Sequence, residues 1–291
     1  MRPYFTSLHG ALFEGDCLDF LANVKPNQFD CIFADPPFNI GKDYRNGYND
    51  EREQDAYFEW SRRWIGECIR TLKPGGSFFI YATPELAVRF AGFMHDHLTF
   101  RHWIALTMKG TYPRGRRLYP AHYALLYYSK GEPAVFNKLR IPVATCRHCG
   151  KEIKDYGGHR DKLHPDGLNL TDFWDDTSPN RHKKFKIRPG VNELKLVIPE
   201  RAIQISTNPG DLVFDPFGGG GSTFQAAELS HRRWVGTELF DSHYIKQRFE
   251  IQLPVFASQV CAFDYNAILY ENHFDTVLRR SEGEGLPVGA V

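Results

Sequence analysis

Apolar residues along the first third of the chain alternate between short runs and longer helical stripes. The runs are FDCIFA (29–34), SFFIY (77–81) and HYALLYYS (122–129). Short apolar runs bounded by turn residues are typical of strands buried in a parallel sheet. Residues 52–72 and 84–96 carry apolar side chains at helical spacing, and Lys73-Pro74-Gly75-Gly76 is expected to end the first helix. This part of the chain therefore predicts strands that alternate with helices.

The same alternation returns after residue 199. We predict a helix at 199–207, a strand at 212–216, a helix at 223–230, a strand at 232–238 and a helix at 242–250. Such a pattern predicts an α/β fold with one doubly wound, mostly parallel sheet. Ligands of these sheets bind beyond the carboxyl ends of the central strands. We therefore expect the loops after Ala34 and Pro216 to share one cleft.

Residues 131–190, the central insertion, lack this alternation and combine cysteine, histidine and basic residues. Cys146-x2-Cys149-x9-His159-x4-His164 supplies four soft ligands at paired spacing, which suits a closed tetrahedral zinc site. The middle spacer is shorter than that of a standard zinc finger, so a related knuckle is expected. His148 is an alternative ligand. The competing interpretation is a pair of free thiols with surface histidines.

Composition limits the class of protein without deciding it. The 291 residues are 42% hydrophobic with a net charge of +1, as in a globular domain. No apolar run reaches the roughly 18 residues of a membrane span, and the N-terminus lacks a signal-peptide core, so a cytoplasmic location is expected. Two stretches, 101–117 and 181–188, are basic without acids. Their candidate DNA-binding residues are Lys109, Arg114, Arg116, Arg117, Lys183 and Lys184, and a solvated charged face is the alternative.

The segment DLVFDPFGGGGST (211–223) predicts a strand, a glycine loop and a helix start. Glycines let the backbone approach a ligand closely, and the helix offers free N–H groups. The loop lacks the third glycine of a dinucleotide motif and the lysine of a P-loop. Glu238, at the next strand end, is placed to bind ribose hydroxyls. Loop and acid together indicate an adenosine-containing cofactor, with a simple tight turn as the alternative.

Asp35-Pro36-Pro37-Phe38 follows a buried strand and forms a rigid turn. Prolines lack N–H donors, so the turn presents carbonyl oxygens and the Asp35 carboxylate as acceptors. Phe38 adds a flat apolar face. An acceptor pair beside an aromatic ring suits an amino group on a planar base, and it stabilises the positive charge that develops on methylation. The alternative is a strand-end turn in which Asp35 caps a helix.

In this order, these motifs resemble the amino-group DNA methyltransferases of the β class. The catalytic motif of that class precedes the target-recognition region, and the cofactor motif comes last. The segments that carry the resemblance are GDCLDFL (15–21), ADPPFNIG (34–41), LKPGGSFFIY (72–81), HYALLYYSKG (122–131), NLTDFWDD (169–176), NPGDLVFDPFGGGGST (208–223) and WVGTEL (234–239).

The resemblance implies a Rossmann-like methyltransferase fold with permuted motif order and S-adenosylmethionine as cofactor. The implied catalytic residues are Asp35, Pro36, Pro37 and Phe38. The implied cofactor-binding residues are Asp16, Cys17, Asp35, Asp215, Phe217, Gly218, Gly220, Ser222, Thr223, Glu238 and Lys195. The chain departs from the family pattern at Gly219, where cysteine is frequent, and at Phe38, where tyrosine is commoner. It also reads Asn192-Glu193-Leu194-Lys195 where Glu-Lys-Pro is common, which leaves the role of Lys195 open.

The implied substrate is a base flipped out of double-stranded DNA, and the zinc-bearing central insertion is expected to read the site. We divide the chain into a catalytic half (1–130), the central insertion (131–190), a cofactor-binding half (191–255) and a C-terminal extension (256–291). The tail SEGEGLPVGAV is expected to be disordered. A homodimer and a cognate restriction enzyme are partners that the resemblance leaves open.

Adenine N6 is the predicted target, because DPP-type motifs of this family lean towards adenine and SPP-type motifs towards cytosine. The nearest alternative is a cytosine-N4 methyltransferase of the same fold, and RNA as substrate stays open. A non-catalytic zinc-dependent DNA-binding protein and a nucleotide-linked oxidoreductase are alternatives from other classes.

Overall fold

A computed structural model of the chain describes residues 1–41, 52–108, 116, 118, 120–143, 145–146, 148–151, 162–188 and 192–270. Within these ranges one nine-stranded sheet carries helices on both faces, and a two-stranded ribbon, β7–β8, lies in the central insertion. The strands are β1 (Phe5–Thr6), β2 (Gly10–Glu14), β3 (Phe29–Ala34), β4 (Leu72–Ala82), β5 (Thr99–Thr107), β6 (His122–Ser129), β7 (Arg140–Ile141), β8 (Leu168–Asn169), β9 (Phe173–Trp174), β10 (Leu212–Asp215) and β11 (Arg233–Glu238).

The helices match the predicted stripes and add two that were not predicted, α1 and α7. They are α1 (Cys17–Ala22), α2 (Gln54–Thr71), α3 (Pro84–His95), α4 (Val197–Ser206), α5 (Ser222–Leu229), α6 (Ser242–Gln252) and α7 (Pro254–Ala257). Local chemistry fixes their starts. Glu53 caps α2 by accepting hydrogen bonds from the N–H groups of Asp55 and Ala56, and Thr83 caps α3 just before Pro84. In the part of the chain that the structure describes, no helix has both the length and the apolar character needed to cross a membrane.

The strand order is β1-β2-β11-β10-β3-β4-β6-β5-β9. The five strands β2, β11, β10, β3 and β4 run parallel, whereas β6 is antiparallel to both β4 and β5. From β10 the chain continues to β11 on one side, and from β3 it continues to β4 on the other. The order therefore reverses between β10 and β3, and the loops after these two strands open at the same edge. The predicted doubly wound, mostly parallel sheet is confirmed.

Helices on both faces bury the central strands completely, which explains their uninterrupted apolar sequences. In β3, Phe29, Ile32 and Ala34 belong to a core shared with α1, α2 and α3. Cys31 and Phe33 belong to a second core, which is shared with α4, α5 and α6. The two cores hold the carboxyl ends of β3 and β10 side by side.

The strands β1, β2, β7 and β8 were not predicted from the sequence, and three further details differ from the predictions. β4 begins at Leu72, so Lys73-Pro74-Gly75-Gly76 starts a strand and does not form a free turn, because Gly75 and Gly76 exchange backbone hydrogen bonds with Lys130. β5 was not predicted, because its first residues are mostly polar and exposed and give no apolar run. β9 lies in the central insertion but pairs with β5 of the main sheet, where Trp174 is buried. Part of the central insertion therefore belongs to the main fold.

Candidate active site

The loops after β3 and β10 form walls of one cavity at the carboxyl edge of the sheet. Asp35–Phe38 and Pro216–Gly220 line it, together with Gly15–Cys17 after β2 and Glu238–Phe240 at the end of β11. Neighbouring parallel strands end at the same edge, so these segments meet although they are distant in sequence. The predicted convergence of the two loops is present in the structure.

The Asp35-Pro36-Pro37 turn offers oxygen acceptors to the cavity. Tyr57, buried in α2, donates from its hydroxyl to the Pro37 carbonyl oxygen at 2.7 Å. This hydrogen bond holds the second proline in place and occupies its carbonyl. Among the described residues, none donates a hydrogen bond to the carbonyl oxygen of Pro36, which lines the cavity with Asp35. Asp35 and Pro36 thus both line the cavity, where the motif predicts an acceptor pair.

Aromatic rings form the wall next to this turn. The Phe38 ring lies 5.8 Å from the ring of Tyr81 and 6.0 Å from that of Tyr123, and the two tyrosine rings are 4.9 Å apart. Burial, together with the nearby Asp35 carboxylate, raises the pKa of Tyr81 well above its usual range, so its hydroxyl stays protonated. Sequence reasoning missed both tyrosines. Tyr81 lies near the end of β4 and Tyr123 near the start of its antiparallel neighbour β6, both at the cavity edge of the sheet. Their position can be inferred only when the order of the strands is known.

The glycine loop turns sharply between β10 and α5. Gly219 and Gly221 have φ angles of +52° and +77°, values that side chains disfavour, and Gly221 N–H donates to the Gly218 carbonyl at 2.7 Å. The glycines therefore serve the shape of the loop, and its backbone faces the cavity.

Asp215 supports this loop from below. Its carboxylate is buried and accepts hydrogen bonds from the N–H of Phe217 at 2.8 Å and from the side chain of Thr223. Burial raises its pKa well above the usual range. Asp215 does not line the cavity, whereas Phe217, Gly218, Gly220, Ser222 and Thr223 do. The geometry assigns Asp215 to the support of the loop and not to the surface that a cofactor would touch.

Two acids lie at the other end of the cavity. Glu238 accepts a hydrogen bond from Gly219 N–H at 2.7 Å, and burial raises its pKa to about 7 although Gly219 and Arg188 act in the opposite direction. Asp16 caps α1 through the N–H of Leu18 at 2.7 Å and also lines the cavity. The neighbouring Cys17 thiol has a pKa well above its usual range because it is buried, so Cys17 provides an apolar wall and not a nucleophile.

A buried ionic network, which the sequence did not predict, closes the cavity between the glycine loop and the segment before α4. Glu193 is fully buried and pairs with the buried Arg248 at 2.5 Å and with Arg181 at 3.6 Å. Arg248 also donates to the carbonyl of Gly220. Lys195, the predicted cofactor residue of this segment, does not line the cavity, whereas Glu193 and Leu194 do. The sequence signal that could have pointed to Glu193 was the departure of Asn192-Glu193-Leu194-Lys195 from the family's common Glu-Lys-Pro.

The basic run at 181–188 divides into an inner and an outer part, which corrects its interpretation as one DNA-facing stripe. Arg188 is buried, lines the cavity, and pairs with Asp241 at 2.5 Å and with Glu238 at 3.8 Å. Arg181 donates to Ser222 Oγ at 3.0 Å. Lys183 and Lys184, by contrast, are exposed. The two arginines turn inward because they pair with Glu193, Glu238 and Asp241, whereas no acidic partner is recorded for Lys183 or Lys184 within the described residues.

The other predicted DNA-binding residues are only partly described. Arg116 is exposed, whereas Lys109, Arg114 and Arg117 lie outside the described residues. Arg101, at the start of the same basic stretch, pairs with Glu132 at 3.0 Å. The first stretch is therefore not free of acidic neighbours in space.

The cysteine motif forms a tight knuckle. Gly150, with a φ of +68°, donates from its N–H to the Cys146 carbonyl at 2.8 Å. The N–H groups of His148 and Cys149 donate to the Cys146 sulfur, and they lower its pKa. His164 lies 3.5 Å from the Asp166 carboxylate through Nδ1. His159 lies outside the described residues, and among those described no three His, Cys, Asp or Glu side chains cluster closely enough to hold a metal.

Comparison with known proteins agrees with this architecture. The sequence pattern of the DNA methylase family N6_N4_Mtase matches residues 29–249. Type II methyltransferase M.BamHI from Bacillus amyloliquefaciens is 47% identical over 251 residues, which cover 86% of this chain and 59% of that protein. The chain thus spans less than two thirds of that relative's length. DNA adenine methyltransferase YhdJ from Escherichia coli (strain K12) is 27% identical over 81% of this chain and 80% of its own.

Solved structures share the fold. PvuII DNA methyltransferase, described as cytosine-N4-specific, superposes with a TM-score of 0.60 at 18% identity, covering 97% of this chain and 96% of that one. TTHA0409 from Thermus thermophilus, in complex with S-adenosyl-L-methionine, superposes with a TM-score of 0.57 at 21% identity, covering 86% and 98%. The fold and the cavity define a Rossmann-like α/β protein with a ligand site at the switch point of its sheet. The chain belongs to the N6_N4_Mtase family of DNA methylases.

Proposed function

We propose that this protein transfers a methyl group from S-adenosylmethionine to the exocyclic amine of a flipped base in double-stranded DNA, with adenine N6 as the target. The observation that carries the proposal is the shared cavity, in which the acceptor turn at Asp35-Pro36 faces the glycine loop. Amine acceptors and a cofactor loop in one cavity suit amine methylation. Membership of the DNA methylase family supports DNA as the substrate.

The cavity has the chemistry that the cofactor requires. Glu238 and Asp16 offer carboxylates for the ribose hydroxyls and the adenine amine, and Leu239 and Phe240 offer apolar surface for the ring. The backbone of the glycine loop lies between these groups and Asp35. Bound S-adenosylmethionine supplies an electrophilic methyl group, and its sulfur–carbon bond breaks as the new nitrogen–carbon bond forms.

The acceptor turn prepares the amine for this transfer. Asp35 and the Pro36 carbonyl accept the two amine hydrogens, which localises the nitrogen lone pair and stabilises the positive charge that develops on nitrogen. Asp35 then holds the proton that the nitrogen releases. Phe38 stacks on the base, and the Tyr81 and Tyr123 rings extend the apolar wall against water. No covalent intermediate with the protein is required.

Cytosine N4 is the second candidate target, because the acceptor pair would bind the amine of either base. The family includes both chemistries, and the DPP form of the motif leans towards adenine. A non-catalytic DNA-binding protein would not need a cavity in which a cofactor loop faces Asp35. An oxidoreductase is disfavoured by the missing third glycine.

The test is to map the modified base. Genomic DNA from cells that express the protein is sequenced at the single-molecule level, and its digested nucleosides are analysed by mass spectrometry. We expect N6-methyladenine in one short sequence. Detection of N4-methylcytosine would identify cytosine N4 as the target in place of adenine N6. If added RNA competes with DNA for methylation in vitro, RNA would be assigned as the substrate. The absence of any new methylated base would overturn the proposal.

The affinity for the cofactor is expected to rise about tenfold between pH 6 and pH 8. Ribose hydroxyls donate to the ionised form of Glu238, whose pKa is raised to about 7, so its protonation below pH 7 removes the acceptor. The groups that face Glu238 are Arg188, Asp241, Asp215 and the N–H groups of Gly219 and Phe240. Calorimetric titration with S-adenosylhomocysteine measures the effect. Glu238→Gln should bind more weakly with a flat profile, and an unchanged tenfold rise in this variant would contradict the assignment.

We further propose that the central insertion, taken as residues 131–190 between the catalytic and cofactor-binding halves, holds a structural zinc ion and reads the DNA sequence. The N–H groups directed at the Cys146 sulfur are typical of a thiolate knuckle. Such a small segment has little apolar core of its own, so a metal would stabilise it.

The relatives' Type II names support a cognate restriction enzyme as a partner, and a homodimer is a second assembly to test.

Dialysed protein is expected to contain about one zinc ion per chain by atomic emission. Cys146→Ser should lose the metal, because one thiolate ligand is removed. Cys261→Ser is the matched control, since Cys261 is a half-buried cysteine distant in sequence from the knuckle. Equal zinc in wild type and Cys146→Ser, or none in wild type, would contradict the proposed site.

A further inference from the structure

The hydroxyl of Tyr81 is a polar group of the cavity that has no hydrogen-bond partner within the described residues. The Tyr81 side chain is only 4% exposed, and it lines the cavity. Its ring contacts are with Phe38 and Tyr123, and no hydrogen bond joins its hydroxyl to a residue that the structure describes. The hydroxyl is not one of the fully buried polar atoms that lack a partner, so it is open to the cavity.

The sheet brings Tyr81 beside Asp35. The strands β3 and β4 are parallel neighbours in which Ala34 pairs with Ile80, so Asp35 and Tyr81 are the next residues along the two chains. Backbones of paired strands lie about 5 Å apart. Phe33 and Tyr81 belong to the same core on one face of the sheet, and Asp35 follows Phe33 by two residues. Burial and, after it, the Asp35 carboxylate raise the pKa of Tyr81 well above its usual range, so the hydroxyl keeps its proton and can donate it in a hydrogen bond.

A donor beside an acceptor pair matches one edge of a base that carries an amine. In adenine the ring nitrogen N1 lies next to the carbon that bears the amine, and it accepts hydrogen bonds. The ring nitrogen N3 has the same place in cytosine. Guanine and thymine carry an N–H at this position and an oxygen in place of the amine. Enzymes that flip a base read these groups on its Watson–Crick edge by hydrogen bonds.

We propose that the Tyr81 hydroxyl donates a hydrogen bond to the ring nitrogen next to the target amine, which is N1 in adenine, and so orients the flipped base for methylation. Asp35 and the Pro36 carbonyl hold the amine, and the hydroxyl adds a third point that prevents rotation of the base in its own plane. Guanine or thymine would place an oxygen against the Asp35 carboxylate and an N–H against the hydroxyl, so the same contacts select against them. The inference rests on the proposed function, since it requires a flipped base.

The experiment uses full-length protein, S-adenosylmethionine and two duplexes that carry the mapped methylation site. One contains the natural target base, and the other contains 1-deazaadenine, in which a C–H replaces N1, or 3-deazacytosine if cytosine is the mapped base. The single-turnover rate on the natural duplex should fall about tenfold in Tyr81→Phe, because one hydrogen bond is lost. The ratio of the natural to the deaza rate should be about tenfold smaller in Tyr81→Phe than in wild type, because the variant has already lost this contact. The intrinsic reactivity of the analogue cancels in this comparison.

Two controls separate the contact from a general effect on the cavity wall. Tyr127→Phe also removes one hydroxyl, and Tyr127 is 2% exposed in the neighbouring strand β6 but does not line the cavity. This variant should keep the wild-type ratio. For an adenine target, 7-deazaadenine changes the ring on the other side of the amine and should give the same ratio in wild type and Tyr81→Phe. Binding of S-adenosylhomocysteine should be unchanged in Tyr81→Phe.

The outcomes separate the inference from the proposed function. A wild-type protein that methylates no duplex would overturn the proposed function itself. If wild type methylates and Tyr81→Phe keeps the wild-type ratio, the contact is overturned, even where both rates have fallen, since equal losses mark general damage to the wall. A ratio that changes with 7-deazaadenine in place of 1-deazaadenine would overturn the assignment to N1. A smaller ratio confined to Tyr81→Phe and to the analogue that lacks the neighbouring ring nitrogen supports the inference.

Discussion

Asp35→Ala is expected to lower the rate of methyl transfer about a thousandfold while cofactor binding stays unchanged. Asp35 and the Pro36 carbonyl form the acceptor pair of the cavity, and Pro36 alone cannot hold both amine hydrogens or the released proton. Asp35 follows β3, whereas the acids assigned to the cofactor follow β2 and end β11, and β10 lies between them and β3 in the sheet. Single-turnover kinetics with labelled cofactor measure the rate, and calorimetry with S-adenosylhomocysteine measures binding.

Asp30→Asn is the matched control for this variant. Asp30 lies near the start of β3, the strand that Asp35 follows, where it pairs with Lys73 at 2.7 Å and accepts the N–H of Leu212 at 2.9 Å. Its loss should reduce stability and leave the rate of the chemical step unchanged. Wild-type turnover by Asp35→Ala would remove Asp35 from the mechanism, and an equal loss of rate in Asp30→Asn would attribute the effect to the strand and not to the carboxylate.

Glu193→Ala is expected to lower the free energy of unfolding by about 3–5 kcal/mol, because it leaves the buried Arg248 and Arg181 without their shared carboxylate. Both Glu193 and Arg248 have fully buried side chains, so water cannot replace the lost partner. Urea unfolding followed by circular dichroism measures the change. The cofactor should also bind more weakly, because Arg248 holds the carbonyl of Gly220 in the glycine loop.

Two further variants define the cause of this loss. Glu193→Gln keeps an oxygen that can accept the N–H groups of Ile187 and Arg188, so it should recover part of the stability but not the charge pairing. Glu59→Ala removes an exposed ion pair with Arg62 and should change the free energy of unfolding by at most about 1 kcal/mol. If Glu193→Ala and Glu59→Ala unfold at the same urea concentration, the buried network does not stabilise the fold as inferred.

The sequence by itself located most of the strands, helices and loops that carry the chemistry, although β2 and α1, which flank Asp16, were not predicted. The apolar run of β3, the stripe of α2 and the glycine loop before α5 are local patterns, so spacing and turn residues are enough to locate them. The same patterns placed Asp35 and Glu238 at strand ends. Strand–helix alternation on both sides of the central insertion predicted that the loops after Ala34 and Pro216 would meet. The polar start of β5 gave no such pattern, and its strand was missed.

Only the tertiary structure decided which neighbours in sequence share a role. Arg181, Lys183, Lys184 and Arg188 look alike in one basic run, yet the arginines turn inward and the lysines outward. The difference comes from Glu193, Glu238 and Asp241, which other segments bring to the arginines and, as far as the described residues show, not to Lys183 or Lys184. Tyr81 and Tyr123 likewise joined the cavity only because β4 and β6 are neighbours in the sheet. Pairing between distant segments is a property of the folded chain, and no local pattern records it.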